Sequence, residues 1–162
     1  MANMCYNFVT CTGSAANITK FKKVLQDGIE YMRTQLHATS LGVDIEEGYF
    51  FEIYINDQEK PTELSFSYET KWAPNLKDLA NVAKKAKLAM VCEYCECGFD
   101  IYGKATIDKH GFYVDDEVPA EFLELIEYDD DGWYTYNGVE YETMGDVIDE
   151  HYEKWKLAQQ KN

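Results

Sequence analysis

The sequence predicts an α+β fold in which two helices cover one face of an antiparallel sheet of four or five strands. Three observations predict it. Strict apolar–polar alternation, the period of a strand with one buried face, recurs along the first two-thirds of the chain. Two stretches of helical period interrupt it. The resulting order is β, α, β, β, α, β, followed by one more strand.

Residues 4–12 alternate and are rich in Tyr, Phe, Val and Thr, and Gly13 and Ser14 end this strand. Ser14 or Asn17 caps the helix that follows. Its apolar stripe is Ile18, Phe21, Leu25, Ile29, Met32 and Leu36, with Lys20, Lys22, Lys23, Asp27 and Glu30 elsewhere. Residues 38–48 form a polar connection. Tyr49, Phe51, Ile53 and Ile55 then define one strand face against Phe50, Glu52 and Tyr54. A loop over 56–62 leads to Leu64, Phe66, Tyr68 and Thr70, alternating with Glu63, Ser65, Ser67 and Glu69. Pro74 biases Ala73 to extended geometry. Asn75 reads as an N-cap, with Asp78 as its capping-box partner. Leu76, Leu79, Ala80, Ala83 and Ala86 recur at helical spacing, and Lys84, Lys85 and Lys87 suit the helix end. Met90, Cys92 and Tyr94 oppose Val91, Glu93 and Cys95 on the next strand. After a turn at Gly98, Phe99, Ile101, Ala105 and Ile107 alternate with Asp100, Tyr102, Lys104 and Thr106 as its hairpin partner. This order is the ferredoxin-like split βαβ arrangement, with right-handed crossovers.

After Gly111 the character changes. Val118, Phe122, Leu125 and Ile126 suggest a short helix begun near Pro119, and Asp129 to Gly132 a turn. Tyr134, Tyr136, Val139 and Tyr141 flank Asn137–Gly138, a strong hairpin signal. Thr143 caps a last helix whose inner face carries Val147, His151 (or Ile148) and Trp155. The expected division is a ferredoxin-like domain over 1–113 and an acidic extension, hairpin plus helix, over 114–162.

With 162 residues the chain can bury one sizeable core. No stretch approaches the roughly 18 apolar residues of a membrane span, and the start lacks a charged, then apolar, signal segment. A cytoplasmic protein is expected. Five cysteines, an odd count, argue against a disulfide framework. Cys92, Cys95 and Cys97 invite a zinc reading, but a strand splits them between faces and no second ligand pair follows. His37, His110 and His151 stand in no nucleophile, zinc or phosphate motif. No catalytic residue, cofactor or metal is therefore expected.

The charge is segregated. Residues 115–153 hold 15 acidic residues and no Lys or Arg, against a net charge of −15 for the whole chain. They are Asp115, Asp116, Glu117, Glu121, Glu124, Glu127, Asp129, Asp130, Asp131, Glu140, Glu142, Asp146, Asp149, Glu150 and Glu153. Such a field repels nucleic acid and anionic membranes and speeds association with a basic surface. Three readings compete: a solvated face, a partner surface, and a cation site at Asp129–Asp131. The last lacks the spacing of a calcium loop.

With these residues in view, the chain resembles the Api92-like (YubB-like) family. The matching features are Met1, Ala2 and Asn3 with Cys5 and Asn7, and Gly13 before the first helix. Thr70, Trp72 and Pro74 fit a T-x-W-x-P element; Tyr94, Glu96, Gly98 and Gly103 fit Y-x-E-x-G and a following glycine. Asn75 departs from the pattern, where a second proline often stands. The resemblance spans roughly 1–111 and implies a ferredoxin-like domain and a setting on phages, plasmids and other mobile elements. It implies no catalytic residues.

The function expected is that of a non-enzymatic, protein-binding accessory protein of a phage or mobile element. It would use the acidic face to mimic nucleic acid and inhibit a host or defence protein, as an anti-CRISPR does. The partner would be a basic or nucleic-acid-binding host protein, with no direct binding of nucleic acid or membrane. The alternative is an enzyme or small-ligand protein using the sheet face near Trp72 and Tyr94. A third is a structural protein whose sheet edge pairs across a homodimer.

Overall fold

The structure, a computed structural model, describes residues 3–36, 38–56, 60–98 and 100–160. Met1, Ala2, His37 and Phe99 lie outside them, as does the side chain of Leu36. Two compact units result, Met1–Glu117 and Val118–Asn162.

In the first unit the elements are β1 (Met4–Thr12), α1 (Ala15–Tyr31), β2 (Ala38–Thr39), β3 (Phe50–Asn56), β4 (Glu63–Lys71), α2 (Leu76–Ala86), β5 (Ala89–Glu96), β6 (Ile101–Ile107) and β7 (Tyr113–Glu117). A π-helical turn, Met32–Leu36, continues α1. The sheet order is β2-β3-β4-β1-β5-β6-β7, with every described pairing antiparallel. Its inner four strands, β3-β4-β1-β5, are the ferredoxin-like set. The sheet has seven described strands rather than four or five. The widening comes from two-residue β2 at one edge and the β5–β6–β7 meander at the other.

Alternation gives β1 its two faces. Cys5, Asn7, Val9 and Cys11 are buried, and Tyr6 and Phe8 are exposed. Ile18, Phe21 and Leu25 of α1, with Leu76, Leu79 and Val82 of α2, join one core cluster with Val9, Phe66, Tyr68, Met90 and Ile107. Both helices therefore cover the same sheet face. The alternation fails in β3. Glu52 adopts a left-handed φ of 43° and the pairing with β4 slips between Phe51 and Tyr54. This bulge turns Phe50, not Phe51, into the core: Phe50 is fully buried and packs on Tyr68 with ring centroids 4.8 Å apart.

The helix starts also depart from local expectation at one end. Ser14 caps α1, accepting from the Asn17 amide. Asn75 makes no side-chain cap bond to α2. It accepts instead from the Tyr68 hydroxyl at 2.8 Å and donates to the Gly48 carbonyl at 2.7 Å. Asp78 is fully buried and accepts from the amides of Glu46, Glu47 and Gly48 at 2.8, 2.8 and 2.9 Å. The two residues read as a cap are a clamp on the 46–48 loop.

The second unit contains α3 (Ala120–Leu123), β8 (Glu127–Tyr128), β9 (Tyr134–Tyr136), β10 (Val139–Tyr141) and α4 (Met144–Gln159), its strands forming a small sheet in the order β10-β9-β8. Asn137 and Gly138 take φ of 50° and 79°, the paired positive values of a type I′ hairpin. Thr143 caps α4 through the Asp146 amide. Residues 114–117 were expected in this extension; they belong to β7, so the boundary falls after Glu117. Acidic residues are poor strand formers, and local preference hid the strand.

Candidate functional site

The core of the second unit is aromatic. Phe122 is fully buried, with the rings of Tyr136, Tyr152 and Trp155 at 5.6, 5.4 and 5.5 Å. Val147 closes the α4 side. Because these side chains fill the interior, the carboxylates are turned out. Glu121, Glu124, Glu127, Asp129, Asp130, Asp131, Glu140, Glu142, Asp146, Asp149, Glu150 and Glu153 are all exposed.

Four of them, Asp146, Asp149, Glu150 and Glu153, recur at steps of three and four on α4 and form one stripe. Like charges at this spacing weaken a helix. Asp129 differs: its Oδ1 accepts from the amides of Asp131 and Trp133 at 3.0 and 2.9 Å and builds the turn before β9. Among the described residues, no three His, Cys, Asp or Glu side chains are grouped to hold a metal ion.

Asp115, Asp116 and Glu117 belong to β7 of the first unit. Asp115 accepts from the Tyr94 hydroxyl at 2.7 Å. Burial, then this bond and the Asp115 charge, hold the Tyr94 phenol well above the usual range.

The residues expected near a sheet-face site do not share one surface. Tyr94 pairs with Asn7 and is buried in the core cluster, its hydroxyl turned toward Asp115. Trp72 is half exposed at the sheet end, where its amide donates to the Asn3 carbonyl at 2.9 Å. Four residues of strand, about 13 Å, separate the two levels. Trp72 has a φ of 72°, and Ala73 N–H donates across it to Lys71 at 2.9 Å, a strained γ-turn.

Several resemblance residues meet at this end. The Asn7 amide donates to the Thr70 hydroxyl at 3.1 Å, which donates to the Ala73 carbonyl at 2.7 Å. Glu96 accepts from the Gly98 amide at 3.0 Å. A Cβ on Gly98 would meet the Asn3 side chain at 2.3 Å. These residues shape the turn and the strand ends; this convergence across three segments was not legible locally.

Cys92 points into the core while Cys95 lies on the other face, with Cys97 in the turn after the strand. Burial pushes the Cys5 thiol up to about 12, with the Thr70 hydroxyl offsetting part of it. Burial, then neighbouring Cys97, pushes Cys95 up to about 11. Burial drives Cys11 and Cys92 well above the usual thiol range. Protonated thiols are poor nucleophiles and poor metal ligands.

A family model for the ferredoxin-like domain in Api92-like protein matches residues 50–136. The match runs from β3 through β9, so it starts later and ends later than the sequence resemblance and takes in part of the acidic segment. No curated protein matches the chain, and no solved structure does.

Proposed function

We propose, for a chain that belongs to the Api92-like family by its ferredoxin-like domain, a non-enzymatic role in binding a basic partner through the acidic second unit. In its concrete form the protein serves a phage or other mobile element. It occupies the nucleic-acid-binding groove of a host or defence protein, as an anti-CRISPR does. The observation that carries this reading is the α4 stripe with its neighbours. Exposed carboxylates crowd a small unit whose folding they oppose, since like charges three and four residues apart repel. The aromatic core holds the backbone beneath them, so the charges are pre-arranged for a partner. Asp115, Asp116 and Glu117 lie on β7 of the first unit, where Asp115 is engaged by Tyr94, and the reading does not rest on them.

The rival reading at Trp72 and Tyr94 has less support, since one of the two is buried and tied to Asp115. An edge-paired homodimer has less support as well. β7 carries three carboxylates and β2 is two residues long, both devices that blunt a sheet edge.

The test is a pull-down from bacterial lysate with the full chain and with a variant carrying Asp130→Asn, Asp131→Asn, Glu140→Gln, Glu142→Gln, Asp149→Asn and Glu153→Gln, which leaves the turn-building Asp129 in place. A nucleic-acid-binding protein retained by the full chain, lost from the variant, lost at raised salt and displaced by duplex DNA supports the reading. Retention that survives neutralisation and salt overturns it.

A further inference from the structure

The end of the first unit where α1 begins and α2 stops carries two cavities. One, of about 540 Å³, lies between the helices, lined by Phe21, Val24, Leu41, Val82 and Ala86, with Gly28 in its wall. A Cβ on Gly28 would meet Leu41 at 3.0 Å, so this glycine keeps the helix close to the turn after β2. The other, of about 840 Å³, is lined by Lys84, Lys87, Lys109, His110 and Phe112. Asn17 and Lys87 line both. An apolar slot and a cationic basin thus share a wall.

The groups of opposite sign nearby are already engaged. Asp27 pairs with Lys23. Asp108 accepts from the amides of His110 and Phe112 at 2.7 and 3.1 Å. The Lys85 ammonium is bound by the Gly42 carbonyl, and the Asn17 side-chain amide donates to the Lys87 carbonyl at 3.3 Å. Lys84, Lys87 and Lys109 are exposed on the basin.

Lys87 occupies a revealing backbone position. It ends α2 in the left-handed conformation, φ 56° and ψ 44°. Lys87 N–H donates to Lys84 and Leu88 N–H to Ala83, the bonding of a Schellman motif. That position favours glycine, because a side chain there is strained. Here it holds a lysine, and this residue lines both cavities.

We propose that this end of the ferredoxin-like unit binds an amphipathic anion. An aromatic or other apolar body fills the slot between α1 and α2, and a phosphate head sits in the basin among Lys84, Lys87 and Lys109. Phe112, 76% exposed at the rim, offers a further ring to stack on. The site is independent of the acidic surface, and either reading can fail alone.

The experiment titrates the full chain with phenyl phosphate and, separately, with inorganic phosphate and phenol. Binding is read from NMR shifts of the Val24, Leu41 and Val82 methyls and of the 84–89 amides. Saturable phenyl phosphate binding that moves both groups is expected, at least about tenfold tighter than either fragment. Lys87→Gly is expected to weaken it about tenfold while the thermal midpoint stays or rises. The surface double variant K84Q/K109Q repeats that loss should Lys87→Gly fail to fold. Four results overturn the proposal: no saturable binding, shifts confined elsewhere, equal affinity for inorganic phosphate, or undiminished binding by the lysine variants.

Discussion

Tyr94 and Gly103 stand directly opposite one another on β5 and β6, and a Cβ on Gly103 would lie 2.2 Å from the Tyr94 hydroxyl. The ring occupies the space a side chain would fill, and its hydroxyl reaches past to Asp115 at 2.7 Å. Backbone and buried ring leave no flexible group to yield. Gly103→Ala is therefore expected to cost about 1–3 kcal/mol by overpacking, a fall of several degrees in thermal midpoint for a chain of this size. Tyr94→Phe keeps the packing and loses one hydrogen bond, so it should cost about 1 kcal/mol. Circular dichroism melts of the two variants check the order; Gly103→Ala melting like the parent would show that the ring does not sit there.

The Asp78 clamp makes a second expectation. Its carboxylate takes three consecutive amides, Glu46 to Gly48, inside the protein. Asp78→Asn replaces one acceptor oxygen with a donor that faces the N–H groups of a part-buried loop. Stability should fall by about 1–3 kcal/mol in all, and amide exchange at 46–48 should quicken more than in α2. Uniform exchange changes over both would mean that the clamp does not hold the loop.

How much of this was legible follows from how local each signal is. The β1, β4 and β5 alternations and the α1 stripe from Ile18 to Met32 are one-dimensional patterns, and these appear where the periodicity put them. The Glu52 bulge has no such signature, so Phe50 was placed on the wrong face. Asn75 and Asp78 look like a cap from their spacing; only the distant 46–48 loop turns them into a clamp. β7 was hidden because Asp115, Asp116 and Glu117 obscure a strand's pattern. The acidic surface could be counted from composition. The cavities could not, because Asn17, Lys87 and Lys109 come from three segments that meet only through the sheet topology.

The buried thiols predict alkaline sensitivity. Folding raises Cys5 from an ordinary 9.0 to about 12, and Cys95 to about 11. The folded state therefore holds these protons longer than the unfolded chain. The resulting stability is fully present below pH 9 and is lost as pH rises through 11 to 12. The thermal midpoint should be level to about pH 9 and then fall. In Cys5→Ala, whatever its starting midpoint, the fall between pH 9 and 11 should be shallower. Thiol labelling at pH 8 should reach exposed Cys97 first, with Cys5, Cys11 and Cys92 protected until unfolding. An identical pH slope in Cys5→Ala would remove Cys5 from the account.

The α4 stripe allows stability and binding to be pulled in opposite directions. Asp149 faces Asp146 three residues before it and Glu153 four residues after it, both of its own sign. Asp149→Lys converts two repulsions into two attractions. At about 0.2–0.5 kcal/mol per pair and per sign, the gain is about 1 kcal/mol. Asp149 is exposed, so the change costs no core packing, although Glu153 already pairs with Lys156 and shares its charge with the new lysine. The variant should melt slightly higher than the parent while capturing less of a basic partner, most visibly at low salt where the acidic field reaches furthest. A thermal melt and a salt series of the same pull-down measure both. Higher stability with undiminished capture would make the stripe a solvated helix face and leave the partner surface to the β8–β10 side of the unit.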